Sequence, residues 1–118
     1  MAKLSTHILD TVHGLPAPNV LVELFALDAG GAARLIVSTR TNADGRTDKP
    51  LLEGEAVKRG LYRLVFHAGD YFRAKGLKLA EPPFIDVVPI DFGIGDENGH
   101  YHVPLLCSPW TYSTYRGS

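Results

Sequence analysis

Gly60-Leu61-Tyr62-Arg63-Leu64-Val65-Phe66-His67 reads as a β-strand. Tyr62, Leu64 and Phe66 fall on one face, and Leu61, Arg63 and Val65 on the other, the period of two that a pleated strand imposes. Ala68 to Lys75 loses that period. Asp70 offers an N-cap and Gly76 a stop, so one short helix is expected there. Working toward the N-terminus, strands are expected at Arg34 to Thr41, Val20 to Leu27 and Leu4 to Asp10. They are punctuated by Asn42-Ala43-Asp44-Gly45, Asp28-Ala29-Gly30-Gly31 and His13-Gly14-Leu15-Pro16. Gly45 can take a positive φ without a Cβ penalty. Arg46 follows at once, near the expected start of a short fourth strand.

Toward the C-terminus, Ile85 to Phe92 is expected as a strand, with Pro89 arguing for an edge or a bulge. Gly93 to Gly99 reads as a loop, Tyr101 to Leu106 as a strand, Ser108-Pro109 as a turn and Thr111 to Arg116 as the last strand. About eight short strands and one helix, with no internal repeat or linker, imply an all-β sandwich or barrel of antiparallel strands in one domain over residues 1–118.

Composition narrows the function classes. A net charge of −1 gives no general attraction for nucleic acid or anionic membrane. No apolar run approaches the roughly 20 residues of a membrane-spanning helix. The opening Met1 to His7 has no apolar core of a secretory signal. One cysteine, Cys107, cannot form an intrachain disulfide, and after Leu105 and Leu106 it reads as a small buried apolar residue. A cytoplasmic location is the expectation. No nucleotide loop, nucleophile elbow or aromatic–basic platform is present.

Five histidines are the chemical content. His100 and His102 stand two apart on a strand, so both point to one face. That pair reads either as two zinc ligands awaiting a third or as solvated strand histidines. His7 shares a face with Ser5, opposite Thr6 and Ile8. Arg46 presents a planar fork of donors after its turn, suited to a ring carbonyl or an anion. His13 and His67 border turns or strand ends and carry no assigned role. Trp110 to Tyr115 keeps a strand pattern almost to Ser118, where chain ends are usually frayed.

Leu4-Ser5-Thr6-His7-Ile8-Leu9-Asp10-Thr11 with Gly14-Leu15-Pro16-Ala17, His100-Tyr101-His102-Val103-Pro104-Leu105-Leu106 with Ser108-Pro109, and Tyr115-Arg116-Gly117-Ser118 stand in that order. With the Asn42 to Arg46 turn, they resemble the signatures of the transthyretin-like 5-hydroxyisourate hydrolases across the whole chain. The resemblance implies a transthyretin-like sandwich of two four-stranded sheets with one short helix, and a homotetramer built as a dimer of dimers around a channel. It implies metal-free, cofactor-free hydrolysis of 5-hydroxyisourate to 2-oxo-4-hydroxy-4-carboxy-5-ureidoimidazoline. The implied catalytic set is His7, Arg46, His102 and Ser118. His7 and Arg46 also bind substrate, with Tyr115, Arg116 and Gly117 shaping the site. Two rivals share parts of this pattern. One is a transthyretin-type carrier, which would lack the His7, Arg46 and His102 set and the Tyr-Arg-Gly-Ser ending. The other is a zinc hydrolase using His7, His100 and His102.

Overall fold

The alternation at Gly60–His67 builds the centre of one of two stacked β-layers in the computed structural model, which describes residues 1–118. In chain order the elements are β1 Lys3–Ser5, β2 Ile8–Asp10, β3 Leu15–Pro16, β4 Leu21–Leu27, β5 Ala33–Arg40, β6 Leu52–Glu53 and β7 Gly60–His67. They continue with α1 Ala68–Ala74, β8 Val87–Ile94, β9 His100–His102, β10 Leu105–Cys107 and β11 Tyr112–Ser113. The first layer has the order β5-β4-β7-β8 and is antiparallel throughout. Tyr62, Leu64 and Phe66 of β7 are buried, while Leu61 is 60% exposed. Pro89 lies on β8, an edge strand of that layer, where a missing N–H costs no central ladder bond.

The second layer is four lanes of shorter pieces. Lys3 pairs with His100, Ser5 with His102, Ile8 with Leu105 and Asp10 with Cys107, so one constant offset runs through both β1–β9 and β2–β10. β1 and β2 are thus one interrupted lane, and β9 and β10 another. An outer lane carries β6, which pairs with β1, and β3, which pairs with β2. Arg46 meets His7 in an antiparallel bridge on the other partner side of the first lane from β9–β10. The fourth lane is β11, paired with β10, followed by Gly117 bridged to His102. The result is an all-β sandwich of two four-stranded layers with one short helix.

Several expectations are corrected. The central pair of the second layer is parallel, not antiparallel. Its two lanes are far apart in sequence, so no tight hairpin dictates their direction. The Leu4–Asp10 strand breaks at Thr6 and His7, where the Thr6 hydroxyl donates to the Val103 carbonyl at 2.7 Å. No strand begins at Arg46; the residue makes only its bridge, and β6 starts at Leu52. β8 starts and ends two residues later than expected, because Gly93 and Ile94 still pair with Leu61 and Gly60. Asp70 is not the N-cap. The helix follows β7 directly with His67 in that position, and Asp70 pairs instead with Arg73 at 2.9 Å. Gly76 ends it as expected, at φ 89°. The last strand stops at Ser113 rather than Arg116. Leu106 pairs with Ser113 and His102 with Gly117, four residues on in each direction, so the ladder keeps its register across a gap. Pro104 sits in that gap and has no N–H to donate.

The core joins Val22, Leu24, Leu64, Phe66 and Val88 of the first layer to Leu4, Ile8 and Leu105 of the second. Cys107 is buried with them, and burial pushes its thiol pKa up to about 12, so it is an inert packing residue. Asp10 is 1% exposed on the same inward face. It accepts hydrogen bonds from the Tyr71 hydroxyl of α1 at 2.7 Å, from His13 Nδ1–H at 2.6 Å, and from the Val12 and His13 amides. Desolvation raises its pKa, but these donors together outweigh it and leave the carboxyl below its ordinary 3.8. A depressed carboxylate contributes stability that is present above its ordinary pKa and lost as pH falls through the folded value. Asp10→Asn should therefore lower unfolding stability by about 1–3 kcal/mol at neutral pH, read by denaturant titration. The deficit relative to the parent protein should shrink below pH 3.8.

Candidate active site

A strand period of two places Lys3, Ser5 and His7 on the outward side of their lane, because Leu4, Thr6 and Ile8 are buried. The parallel register sets Lys3 beside His100 and Ser5 beside His102. Directly paired residues share a face, so His100 and His102 also point outward, and Tyr101 between them is buried. Arg46 flanks His7 on one side, and Gly117 flanks His102 on the other. Four separate segments thus deliver His7, Arg46, His102 and the C-terminal residues to one face of the four-lane layer.

The turn before Arg46 is tightly built. The Asn42 side-chain oxygen accepts from the Asp44 and Arg46 amides at 2.9 and 3.2 Å. Gly45 has φ 73°, and a Cβ there would come 2.5 Å from the Ile8 carbonyl, so glycine is required on both counts. This turn presents the Asp44 carbonyl to His7, whose Nε2–H donates to it at 2.9 Å. A carbonyl only accepts, so neutral His7 keeps its lone pair on Nδ1. Arg46 forms no ion pair within the chain, and its charge stays uncompensated beside the imidazoles.

His102 is half-buried, and its Nδ1 lies 2.9 Å from Ser5 Oγ. Its pKa lies below the ordinary 6.5, first because burial disfavours the charged ring and then because Arg46, His7 and Lys3 repel a proton. Gly117 lies flat against this ring. A Cβ at Gly117 would meet His102 Cδ2 at 2.9 Å and Cβ at 3.0 Å. Its φ is not in the left-handed region, so close approach is what requires glycine here.

Arg116 stacks over the Tyr101 ring, 4.6 Å from its centroid, and donates to the His100 carbonyl at 3.4 Å. Tyr115 is exposed, and Ser118 is exposed with no hydrogen bond to either imidazole. The remaining histidines are elsewhere: His13 serves Asp10, and His67 Nε2–H donates to Glu23 at 2.7 Å. No three His, Cys, Asp or Glu side chains converge within the chain. The sequence pattern alone missed Lys3, Ser5 and the Asp44 carbonyl. Ser5 and His7 visibly share a face, yet nothing local signals which residue pairs with Ser5. A groove of about 560 Å³ lined by Met1, Gly54, Val57, Lys58, Glu97 and Asn98 contains none of these residues.

Residues 4–117 match the HIUase/Transthyretin family. The chain belongs to that family. Among curated relatives, it is 55% identical to 5-hydroxyisourate hydrolase 2 of Rhizobium meliloti, covering 98% of this chain and 96% of the relative. Among solved structures, (S)-allantoin synthase superposes with a TM-score of 0.93 at 43% identity, covering 99% of this chain; the chain spans 44% of the length of that longer protein. Sea bream transthyretin in complex with thyroxine superposes with a TM-score of 0.85 at 30% identity, covering 98% and 94% of the two chains. The HIUase/Transthyretin fold therefore carries both an enzyme and a binding protein among these relatives, and the outward residues must decide between them.

The electrostatics of this HIUase/Transthyretin face can be tested directly. His102 should titrate below 6.5 in an NMR pH series, and Arg46→Gln should move its midpoint upward toward that value. An unchanged midpoint would mean that the guanidinium does not act on this ring.

Proposed function

We propose that this protein hydrolyses 5-hydroxyisourate, giving 2-oxo-4-hydroxy-4-carboxy-5-ureidoimidazoline. The observation that carries the proposal is the convergence of His7, Arg46 and His102 on one outward face, with Gly117 packed against His102. The 55% identity to a 5-hydroxyisourate hydrolase supports the same substrate. A carrier for a hydrophobic ligand would gain little from this face, because Lys3, Ser5, His7, Arg46, His100 and His102 offer charge and hydrogen bonds rather than apolar area.

The reaction needs water to add to a ring carbonyl carbon and a C–N bond to break. His102 suits the base, because its lowered pKa keeps the ring neutral and able to take the water's proton. The new C–O bond places negative charge on the carbonyl oxygen, which the unpaired Arg46 guanidinium can hold. Collapse of that oxyanion expels the ring nitrogen, which takes the proton back from the imidazolium. His7, held as the Nε2–H form, offers its Nδ1 lone pair to a substrate N–H or to the water. Tyr115, Arg116, Gly117 and Ser118 border the site, with Ser118 positioning substrate through its hydroxyl. Nothing in this scheme calls on a metal or cofactor.

We also propose a single domain over residues 1–118 acting as a homotetramer, a dimer of dimers. β8 leaves an open sheet edge, which a second subunit can extend. Val12, Leu15, Trp110, Tyr112 and Tyr115 are exposed on or beside the lanes of the second layer, apolar surface that a second dimer would cover. Covering that layer would turn an open face into a channel with little bulk water, where charge stabilisation is stronger. No helix is long and apolar enough to cross a membrane. The lone buried thiol asks for no oxidising compartment, which supports the cytoplasm as location.

Two measurements test this. With 5-hydroxyisourate generated in situ from urate, the protein should accelerate its ultraviolet decay. His7→Asn and His102→Asn should each slow the rate by roughly 10²–10⁴. His100→Asn should cost far less. No acceleration by the parent protein would end the proposal, and activity that followed added zinc with His100 as critical as His102 would favour the zinc hydrolase. Light scattering should give four times the subunit mass of 12.9 kDa. An active monomer would overturn the interface.

A further inference from the structure

We propose that Ser5 is the positioning residue of His102: its hydroxyl oxygen receives the Nδ1 proton of the neutral ring and leaves Nε2 as the working nitrogen. The proposal deepens the reading of this face as a hydrolase site and rests on it only for the kinetic consequence.

The geometry comes from the lane pairing. Ser5 and His102 are direct partners in the parallel ladder, which fixes their backbones side by side. Two ladder bonds brace the pair: the Val103 amide donates to the Ser5 carbonyl, and the Leu105 amide to the His7 carbonyl, each at 2.9 Å. Ser5 Oγ has His102 Nδ1 as its only hydrogen-bond partner, at 2.9 Å. On the far side, a Cβ at Gly117 would meet His102 Cδ2 at 2.9 Å and Cβ at 3.0 Å, so the bridged C-terminal segment sits close beside the ring and leaves little room there. The imidazole is held between a hydroxyl and a glycine backbone, with Nδ1 spoken for and Nε2 left over.

This contact has a chemical consequence. An isolated neutral imidazole side chain prefers the form with hydrogen on Nε2, which has no lone pair there to accept a proton. A base working through Nε2 needs the other tautomer, and the group on the second nitrogen selects it. Ser5 can accept from Nδ1–H in that neutral form. It can accept equally from Nδ1–H in the imidazolium formed after water is deprotonated, so the bond survives the proton transfer. A carboxylate in its place would also accept, but would favour the charged ring and work against the neutrality that Arg46 and burial impose. A hydroxyl can accept the Nδ1 proton without adding that charge. His7 is served differently: the Asp44 carbonyl occupies Nε2–H and leaves Nδ1 free. With Ser5 accepting from Nδ1–H, the two imidazoles present opposite nitrogens; the Asp44 carbonyl, which cannot donate, fixes His7 by itself.

The test is nitrogen NMR of imidazole-labelled protein, at a pH where His102 is neutral, with His102→Asn identifying its signals. The parent protein should show His102 with hydrogen on Nδ1. Ser5→Ala should shift it toward the Nε2–H form and lower kcat by roughly three- to tenfold, about one hydrogen bond, with little change in KM. Ser5→Thr keeps the hydroxyl and should restore both readouts. Circular dichroism should be unchanged, because the side chain is on the outward face. A parent His102 carrying hydrogen on Nε2, or a Ser5→Ala spectrum like the parent's, overturns the proposal. If the parent protein does not accelerate 5-hydroxyisourate decay, the hydrolase reading fails alone, and the tautomer spectra still decide whether Ser5 holds the ring.

Discussion

The parallel pairing of the Lys3–Asp10 lane with the His100–Cys107 lane is the constraint on which the rest depends. One offset is maintained from Lys3–His100 to Asp10–Cys107, although each lane is interrupted. A slip of the first lane by one residue would turn its outward side chains inward. Leu4 and Ile8 would leave the core, and Ser5 and His7 would enter it and lose their places beside His102 and Arg46. Burial of those apolar side chains therefore holds the outward residues in register, and the face needs no stabilising interactions of its own. Satisfied polar groups complete the inner side. The Thr6 hydroxyl bonds the Val103 carbonyl where the first lane breaks, and Asp10 gathers donors from α1 and from the turn after β2.

Chemistry and stability thus occupy opposite faces of one lane, separated by the pleat. Asp10 and His7 are three residues apart and answer to different demands. Asp10 keeps its charge in the interior because four donors surround it. His102 disfavours charge first because part of its ring is dry and then because Arg46, His7 and Lys3 stand near it. The same two physical effects, desolvation and nearby partners, act on both groups. At Asp10 they oppose each other and the partners win; at His102 they reinforce each other.

Much of this was legible in the chain. The period of two at Gly60–His67 gave the correct buried face, because alternation is a local property that burial reads directly. The Asn42–Gly45 turn was legible because positive φ needs glycine and the Asx bond needs Asn. The resemblance supplied His7, Arg46 and His102, and the fold brings those three to one face. Partner choice was not legible. Nothing in Leu4–Asp10 says that it pairs with residues 97 positions later, or that the direction is parallel. Ser5 and Lys3 therefore stayed unassigned, since their importance lies wholly in what stands beside them. The shortened last strand could have been anticipated only with the register in hand, because Pro104 breaks a ladder whose partner is unknown from sequence.

The fold accommodates an enzyme and a carrier because the lanes specify positions and leave the outward side chains free. At 30% identity sea bream transthyretin retains nearly the whole backbone path. On this chain the outward face carries a set of donors and imidazoles: Lys3, Ser5, His7, Arg46, His100 and His102. Here the flanking partners matter as much as the imidazoles. Arg46 arrives on a turn closed by Asn42 and Gly45, and Gly117 arrives by an isolated bridge to His102, in register with β10–β11 across the gap at Pro104. Each is held by backbone geometry, and Arg46 is paired with no side-chain carboxylate of the protein. A carboxylate beside Arg46 would make the guanidinium a structural group and would raise the proton affinity of the nearby ring. With no side-chain carboxylate paired to Arg46, this small β-sheet surface holds an imidazole of lowered proton affinity and a guanidinium near each other.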